Sequence, residues 1–586
     1  MKKRNEIDEL YKWDLSSYVK DENELKQNLQ YLKDNANKYQ EYYGKFNDKS
    51  ILKQYLKFDE EYTIIFYKTS AFIGHTLNTD TSNTKYINYS KQLEFIAKIC
   101  GEAGSYITPQ LNDLADDYLN ELIDDEDLVD YKLFFKGILK NMPHKVSEQD
   151  SKLLSKMTLC LGNDSDIFDT LTNGEIKFDS IIDKDGNKHE VYEADYSKWL
   201  QNDDRNLRQQ AFRSIMSGYG GKIRTLACLY TNDIQYDIFD NELTKFASTR
   251  EKSMFHEEVD SKVYDVLIRN INSRLDILQN ILKLKAKYLN IGDMAYYDMM
   301  LNVGQKNSYT IEQAKDMVKK CTKILGTEYQ QILNEKFEQG VIDYLPNENK
   351  QTGAYSSGVY GCPSIVLMNY VGDYNSVSTL AHEIGHAMHT EFSDRNQSFP
   401  LSDYVIFVAE VASTVNEILL NLHVQNTSND MEKKTLIFEL LDSLRATVYR
   451  QTLFSEFEDF SHNELEKGNP LTYEDYNNKY YELNKKYYGD SIVLPEELKY
   501  EWSRIPHFYR AFYVYKYATG FVSALCIVQN LLEDGNYYKK YINFLKSGCS
   551  KPPVELLKDI GVDLTTDEPY NKAFKFIENI INKIKL

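Results

Sequence analysis

The chain has 586 residues, of which 42% are hydrophobic and 27% are charged, a composition typical of globular proteins with a large buried core. Its 89 acidic and 69 basic residues give a formal net charge of -20, which argues against nucleic acid or an anionic membrane surface as the main partner. The 11 prolines and 26 glycines are few for this length, so long helices are favoured over a loop-rich β architecture.

The cysteines and the first residues bear on the cellular compartment. The seven cysteines form no CxxC pair and predict neither a disulfide framework nor a thiolate metal site. They are Cys100, Cys160, Cys228, Cys321, Cys362, Cys526 and Cys549. The basic start Met1–Arg4 is followed by charged residues where a signal peptide has an apolar run, and no stretch approaches the roughly 18 apolar residues of a membrane span. We therefore expect free thiols in a reducing compartment and a cytoplasmic protein.

The first 180 residues carry apolar positions at a period of 3.6, which predicts helices. The clearest segments are Asp21–Tyr43, Asp59–Leu77 and Asp80–Ala103. Further along, Asp185-Gly186-Asn187 separates two short apolar runs and predicts the tight turn of a hairpin. We place a domain boundary near this turn, at residue 190.

Helical periodicity continues beyond the turn, with long amphipathic helices predicted over Val259–Tyr288 and Ile311–Phe337. Four histidines in the first half of the chain stand far from other metal-binding side chains. They are His75, His144, His189 and His256. We interpret each as a hydrogen-bonded or solvated histidine and not as a metal ligand.

The character of the sequence changes after residue 350. Gly353–Gly361 is rich in glycine but lacks the lysine of a phosphate-binding loop. Ser364–Tyr370, between Pro363 and Gly372, favours a β-strand. An edge strand at this place could bind an extended peptide through main-chain hydrogen bonds, and a short hairpin that packs on the next helix is an equal alternative.

The stretch that follows reads Ala-His-Glu-Ile-Gly-His-Ala-Met-His over residues 381–389. On a helix, His382 and His386 lie one turn apart on the same face. This HExxH spacing is typical of a zinc site in which two neutral imidazoles bind the metal and the glutamate, here Glu383, is the general base for the attacking water. Ser376 is a candidate N-cap for the helix. The alternative is a surface helix with two solvated histidines.

A catalytic zinc needs a third protein ligand and an open position for water. His389 and Glu391 follow on the same helix, but three successive ligands from one straight helix would strain tetrahedral geometry. The better candidate is Glu410, on a second helix predicted over Asp403–Glu417. Glu417 lies on the same face as Glu410, either as an acceptor that orients a ligand histidine or as an ordinary helix-face carboxylate.

Residues 505–521 concentrate a histidine, His507, and several tyrosines, among them Tyr513 and Tyr517. Amide hydrolysis develops an oxyanion that needs hydrogen-bond donors besides a metal, and these side chains can supply them. An aromatic core helix explains the same residues and is the simpler interpretation from the sequence alone.

Taken together, these motifs resemble the thimet-oligopeptidase family of zinc metallopeptidases, in particular its oligoendopeptidase F group. The segments that carry the resemblance are Tyr11–Ser16, Thr379–His389, Phe407–Thr414, Pro506–Tyr509 and Tyr515–Gly520. Their order and spacing make the resemblance specific, and they span nearly the full length of the chain.

The resemblance implies a mainly α fold, a large helical zincin with a deep substrate channel between two lobes and a small β-sheet beside the HExxH helix. With the boundary near residue 190, we expect a helical amino-terminal domain over residues 1–190 and a zinc metallopeptidase catalytic domain over residues 191–586.

The resemblance also implies the functional residues. One Zn2+ per chain would be held by His382, His386 and Glu410, with Glu383 as the general base. The oxyanion would be stabilised by His507 and a tyrosine of the following helix, for which Tyr517 is preferred to Tyr513.

We therefore expect a zinc-dependent endopeptidase that hydrolyses internal peptide bonds of short oligopeptides, without nucleic acid, membrane or obligate protein partners. An HExxH zinc carboxypeptidase is one alternative, and peptides with blocked C-termini distinguish it. A non-catalytic peptide-binding protein on the same scaffold is the other. Glu383 argues against this second alternative, because a binding module needs no general base.

Overall fold

The computed structural model of the chain describes residues 2–147, 150, 154, 157, 162–304 and 307–584. Most of them lie in helices, and the strands form two small sheets, which confirms the mainly α prediction. The described cysteines are all free, and Cys160 lies outside the described residues. No helix in the described ranges combines the length and the apolar character that a membrane span needs.

The helices and strands have the following bounds. The described α-helices up to residue 304 are Glu22–Asn35, Lys49–Thr79, Thr84–Gly104, Ile107–Asn112, Asp116–Ile123, Lys132–Asn141, Asp164–Thr170, Tyr196–Leu200, Arg205–Gly220, Ile223–Thr244, Thr249–His256, Lys262–Asn272 and Leu275–Tyr288. Those after residue 306 are Ile311–Cys321, Thr327–Glu338, Tyr374–Asn396, Phe399–Ser402, Ile406–Thr427, Asp430–Leu444, Arg450–Glu466, Tyr473–Tyr488, Tyr515–Glu533, Tyr538–Leu545, Pro553–Asp559 and Glu568–Ile581. The strands are β1 (Ile181–Ile182), β2 (Lys188–His189), β3 (Ile342–Asp343), β4 (Tyr355–Ser357) and β5 (Ile365–Leu367).

Side-chain caps determine where the first long helices begin. The carboxylate of Asp21 accepts backbone N–H groups at the start of the first helix, which begins at Glu22, next to the predicted start of the segment. The second helix begins at Lys49, well before the predicted start at Asp59. Its start differs because Asp48 caps it and because its first turns already carry buried residues. These buried residues are Leu52, Tyr55 and Leu56.

The two long helices predicted in the middle of the chain are each broken in two. Val259–Tyr288 contains separate helices on either side of Ser273. Ile311–Phe337 is interrupted at Gly326, whose φ of 91° is a left-handed conformation that favours glycine. A Cβ atom at Gly326 would lie 2.5 Å from the ring of Tyr538, so a side chain there would require that ring to move.

The two sheets differ from the prediction in one respect. β1 and β2 form the predicted antiparallel hairpin, and Gly186 in its turn has a φ of 83°. In the second sheet β5 is central, paired in parallel with β3 and antiparallel with β4. The predicted strand Ser364–Tyr370 is therefore shorter than expected and is not an edge strand. Both β4 and β5 pack against the helix Tyr374–Asn396, so the hairpin alternative is the correct one.

The chain divides into two compact units, each assembled from discontinuous segments. The first unit comprises Met1–Lys145, Lys306–His423 and Asn530–Ile560. The second unit comprises Val146–Gln305, Val424–Gln529 and Gly561–Leu586. The division of the sequence at residue 190 remains our proposal for the domains, and the predicted channel between lobes remains a prediction.

In the first unit, the N-terminal segment is anchored beside β3. The guanidinium group of Arg4 pairs with the carboxylate of Asp343, which also accepts the backbone N–H of Trp13 at 3.3 Å. The ammonium group of Lys350 lies 2.7 Å from the same carboxylate, and both side chains of this pair are fully buried. Tyr18 donates its hydroxyl to the carbonyl of Pro363, just before β5. The start of the chain thus fixes the sheet that packs on the HExxH helix.

Candidate metal centre

The helix Tyr374–Asn396, here called the metal helix, carries the HExxH sequence. Its N-cap is Asp373, whose carboxylate accepts both the backbone N–H and the hydroxyl of Ser376. The prediction that Ser376 itself caps the helix is therefore wrong, because Asp373 supplies a charged acceptor three residues earlier and Ser376 lies inside the first turn. The apolar face of the helix is fully buried, at Leu380, Ile384, Ala387 and Met388.

His382 and His386 face each other one turn apart on the metal helix. Their Nε2 atoms are 3.1 Å apart. The second predicted helix runs over Ile406–Thr427, here called the glutamate helix, and it places Oε2 of Glu410 3.6 Å from each of these nitrogens. Among the described residues, this is the one cluster of three His, Cys, Asp or Glu side chains whose ligand atoms all lie within 4.8 Å of one another. Two imidazole nitrogens and a carboxylate oxygen at these distances form a donor set that fits a divalent metal ion.

Gly385 allows the two helices to approach closely. A Cβ atom on Gly385 would lie 2.5 Å from Cα of Ser413 and 2.7 Å from the carbonyl oxygen of Ala412. Both are backbone atoms of the glutamate helix, so they cannot rotate away as a side chain could. Nearby, the buried amide of Asn416 donates a hydrogen bond to the carbonyl of Ala381 on the metal helix, at 3.1 Å.

We expect Gly385→Ala to weaken metal binding by about tenfold or more, because the added methyl group separates Glu410 from the two histidines. Competition with a chromophoric chelator measures the metal affinity. Gly74→Ala is the matched control, since Gly74 is also within a helix but a Cβ there meets no atom within 4 Å. An unchanged affinity in Gly385→Ala would show that this close approach does not set the ligand geometry.

Each of the two imidazole rings makes a further hydrogen bond that holds it in place. Nδ1 of His382 donates to Oε1 of Glu417. The ring of His386 hydrogen-bonds to the backbone of Ala409. Contacts of this kind orient ligand histidines and raise their basicity. Of the two interpretations of Glu417 that the sequence left open, the orienting acceptor matches the observed contact.

The charges around the pair give the two histidines different pKa values. Burial lowers the pKa of His382, but the hydrogen bond and the negative charge of Glu417 outweigh it and bring the pKa to about 9. Burial and the positive charge of His382 lower the pKa of His386 to about 3. At neutral pH the metal-free pair therefore carries one proton more than two neutral imidazoles, and a cation held by both Nε2 atoms would displace it.

Glu383 is 7% exposed and lies beside the ligand cluster. Burial, helped by the charge of Glu410, raises its pKa to about 7 against the opposing effects of His382 and of a hydrogen bond from the backbone of Ser356. Ser356 belongs to β4, so the edge strand touches the predicted general base. A carboxylate with a pKa near the working pH is suited to accept and return a proton.

The other two candidate ligands, His389 and Glu391, make contacts outside the cluster of ligand atoms. His389 is 1% exposed, and its ring stacks on that of Tyr404 with centroids 3.8 Å apart. Glu391 accepts the backbone N–H of Ser364 at 2.8 Å and pairs with the buried Lys336. Sequence reasoning missed the contributions of Gly385, Asn416 and the backbones of Ala409 and Ser356. Backbone groups make the same contacts whatever the residue type, so they cannot be recognised in a sequence. Of these four contributions, only that of Gly385, the glycine within HExxH, could have been suspected from the residue type.

In the second unit, the structure brings together the predicted oxyanion donors. His507 is exposed in the turn Pro506–Tyr509, and its ring centroid lies 6.2 Å from that of Tyr513 and 6.1 Å from that of Tyr517. The two tyrosines are half-buried, and their hydroxyl oxygens are 3.4 Å apart. Partial desolvation and the positive charges of Arg450 and Arg510 lower the pKa of His507, which favours the neutral imidazole. The alternative interpretation, that this stretch contributes aromatic side chains to the core, holds for Phe508 and Tyr515, which are buried.

Comparison with known proteins relates this chain to a family of peptidases. The model of peptidase family M3 matches residues 199–576, and the model of the oligopeptidase F N-terminal region matches residues 110–178. The chain is 36% identical to the oligopeptidase PepF of Bacillus subtilis over 513 residues, which cover 86% of this chain and 76% of that protein. A solved structure from Chlamydophila abortus has a TM-score of 0.94 at 32% identity and covers 100% of this chain and 99% of that one. The crystal structure of oligoendopeptidase F from Enterococcus faecium has a TM-score of 0.72 at 27% identity and covers 96% of this chain and 99% of that one.

Proposed function

The chain belongs to peptidase family M3, a family of metallopeptidases, and on this premise we propose that it is a zinc-dependent endopeptidase that hydrolyses internal bonds of short oligopeptides. The observation that carries the proposal is the convergence of His382, His386 and Glu410 beside the buried carboxyl group of Glu383. The similarity to proteins named oligopeptidase and oligoendopeptidase F supports short peptides as the substrates.

The donor set favours Zn2+ as the metal. Two imidazole nitrogens and one carboxylate are a common ligand set of catalytic zinc, which keeps a fourth position for water or substrate. When bound, Zn2+ polarises the scissile carbonyl group and lowers the pKa of water. Glu417 and the backbone of Ala409 keep the two imidazoles oriented for this role.

The protein's own groups move the protons. Glu383 takes a proton from the attacking water and returns it to the nitrogen of the leaving amine as the C–N bond breaks. By the likeness to the family, His507 and the hydroxyl group of Tyr517, with Tyr513 as the alternative tyrosine, would donate hydrogen bonds to the oxyanion of the tetrahedral intermediate. Within the second unit these three side chains lie close together. These donors would supply charge stabilisation that the substrate carbonyl needs only in the transition state.

The experiment is cleavage of an internally quenched peptide of about ten residues that is blocked at both ends, with product masses determined by mass spectrometry. We expect internal cleavage, loss of activity after treatment with a chelator, and recovery when Zn2+ is added back, because the water has no activating metal without it. Recovery with other divalent ions is measured in parallel, since such sites also bind them.

Two results would contradict the proposal. If only peptides with a free C-terminus are trimmed, the chain is a carboxypeptidase. If labelled peptide binds to the metal-loaded chain but no product forms, the chain is a non-catalytic peptide-binding protein.

A further inference from the structure

One helix of the second unit supports the segment that carries His507 and Tyr513. We call residues 505–514 the donor loop and the helix Arg450–Glu466 the support helix. The ring of Phe508 in the donor loop packs against two phenylalanines of the support helix, with centroids 5.4 Å and 5.2 Å away. They are Phe454 and Phe457. Farther along, the ring of Phe512 lies 4.9 Å from the imidazole of His462 on the support helix.

Phe512 has an unusual backbone conformation. Its φ is 52°, in the left-handed region, which is unfavourable for residues with a side chain and especially for bulky ones. The side chain is 1% exposed and is packed between His462 and Tyr264. A conformation of this kind persists only where the surroundings enforce it.

The backbone N–H of Phe512 is donated to Oε1 of Glu458, at 2.6 Å. Glu458 lies on the support helix and is 1% exposed. The other oxygen of this carboxyl group is buried and has no hydrogen-bond partner among the described residues. Burial raises the pKa of Glu458 well above its usual range, against the opposing effect of the hydrogen bond from Phe512. The nearby Asp237 and Asp459 add to the shift, and Lys516 opposes it.

A buried carboxyl group with one hydrogen bond is a poor device for stability alone. An apolar residue of similar volume would avoid the cost of removing the second oxygen from water. Among the described residues, the one hydrogen bond of the Glu458 carboxyl group is to the strained residue of the donor loop, which points to a role in shaping that loop.

The position of Phe512 in the chain shows what such a role would affect. Phe512 separates His507 from Tyr513, and the first turn of the next helix follows at once, with the backbone N–H of Tyr517 donated to the carbonyl of Val514 at 3.2 Å. A rotation about the backbone at Phe512 therefore moves both tyrosines relative to His507. The observed spacing of their rings depends on the left-handed conformation at that residue.

We propose that Glu458 is a positioning residue for peptide hydrolysis, which holds Phe512 in the left-handed conformation and thereby sets the distances from His507 to the hydroxyl groups of Tyr513 and Tyr517. This inference rests on the proposed function, in which those groups stabilise the oxyanion. Glu458 itself touches neither substrate nor metal in this role.

Two substitutions of Glu458 distinguish the effect of its hydrogen-bond acceptor from the effect of its side-chain volume. We expect Glu458→Leu, which keeps the volume but removes the acceptor, to lower kcat for the blocked peptide by about 10- to 100-fold, because misplaced donors no longer match the oxyanion. KM and zinc content should stay unchanged. Glu458→Gln keeps a carbonyl oxygen that can accept the N–H of Phe512, so its kcat should remain within about twofold of the wild type.

A second background distinguishes positioning from a general loss of structure. In a His507→Ala, Tyr513→Phe, Tyr517→Phe enzyme, Glu458→Leu should cause no further decrease in kcat, since the groups that it positions are gone. Tyr264→Phe is the matched control, because it removes a buried hydrogen bond to the carbonyl of Ser455 in the same aromatic cluster and leaves the donor loop hydrogen bond intact. We expect this control to lower Tm without changing kcat.

A crystal structure of Glu458→Leu tests the positioning independently of activity, and we expect the ring separation of His507 and Tyr513 to differ from 6.2 Å. Three results would overturn the inference and leave the proposed function standing. They are an unchanged donor loop in Glu458→Leu, a wild-type kcat in that variant, and an equal decrease in kcat on adding Glu458→Leu to either background. Failure of the wild-type enzyme to cleave the blocked peptide would instead contradict the proposed function, and a role of Glu458 in hydrolysis would fall with it.

Discussion

Replacing Glu383 by glutamine is expected to lower kcat by about 10²- to 10⁴-fold, the range found when a general base is removed. Glutamine has nearly the same shape but cannot take a proton from water at neutral pH. The metal should stay bound, because the ligand atoms of His382, His386 and Glu410 are untouched. Initial rates with the blocked peptide give kcat, and elemental analysis of the same sample gives the zinc content.

Asp394→Asn is the matched control for Glu383→Gln. Asp394 lies on the same metal helix, its carboxyl group is half-buried, and it is outside the cluster of ligand atoms. The same change from carboxyl to amide there should leave kcat close to the wild-type value. Wild-type turnover in Glu383→Gln would rule out the general base, whereas loss of zinc from that variant would assign its effect to metal binding.

Replacing Glu410 by alanine is expected to abolish activity through loss of the metal. The change leaves the two imidazoles as the only protein ligands, and the positive charge of the ion is no longer compensated by the carboxylate. Dialysis against a chelator followed by elemental analysis should leave little zinc in Glu410→Ala under conditions in which the wild type keeps about one ion per chain. His382→Ala should behave in the same way.

Glu417→Gln is compared with Glu410→Ala because it should weaken metal binding only partly. Glutamine can still hydrogen-bond to Nδ1 of His382 but lacks the charge, so we expect a loss in metal affinity of about 10- to 100-fold. Glu338→Ala, at an exposed glutamate of the first unit, should bind zinc like the wild type. Full zinc occupancy in Glu410→Ala after the same dialysis would exclude Glu410 as a ligand.

The sequence predicted the parts of the candidate metal centre that depend on local geometry. The placement of His382, Glu383 and His386 follows from the helical period alone, because residues four apart share a face. Glu410 belongs to another helix, and its place opposite the histidines depends on how closely the two helices cross. That crossing depends on Gly385 and Asn416, whose contacts are tertiary and leave no periodic pattern.

Other features could not be read from the sequence for similar reasons. The strands are two or three residues long, too short for an alternating pattern to show which one is central. The segments of the two compact units are interleaved along the chain, and no change in composition marks where the chain passes from one to the other. The left-handed backbone at Phe512 occurs at a bulky residue, where the usual signal, a glycine, is missing.

The most direct test of the account is a crystal structure of the zinc-loaded protein with anomalous diffraction measured on both sides of the zinc absorption edge. We predict one strong anomalous peak, about 2.1 Å from Nε2 of His382, Nε2 of His386 and a carboxylate oxygen of Glu410. A water molecule at the fourth position should lie within hydrogen-bonding distance of the carboxyl group of Glu383. A peak on any other set of side chains, or none in a sample that contains one zinc per chain, would contradict the metal centre on which the proposed hydrolysis depends.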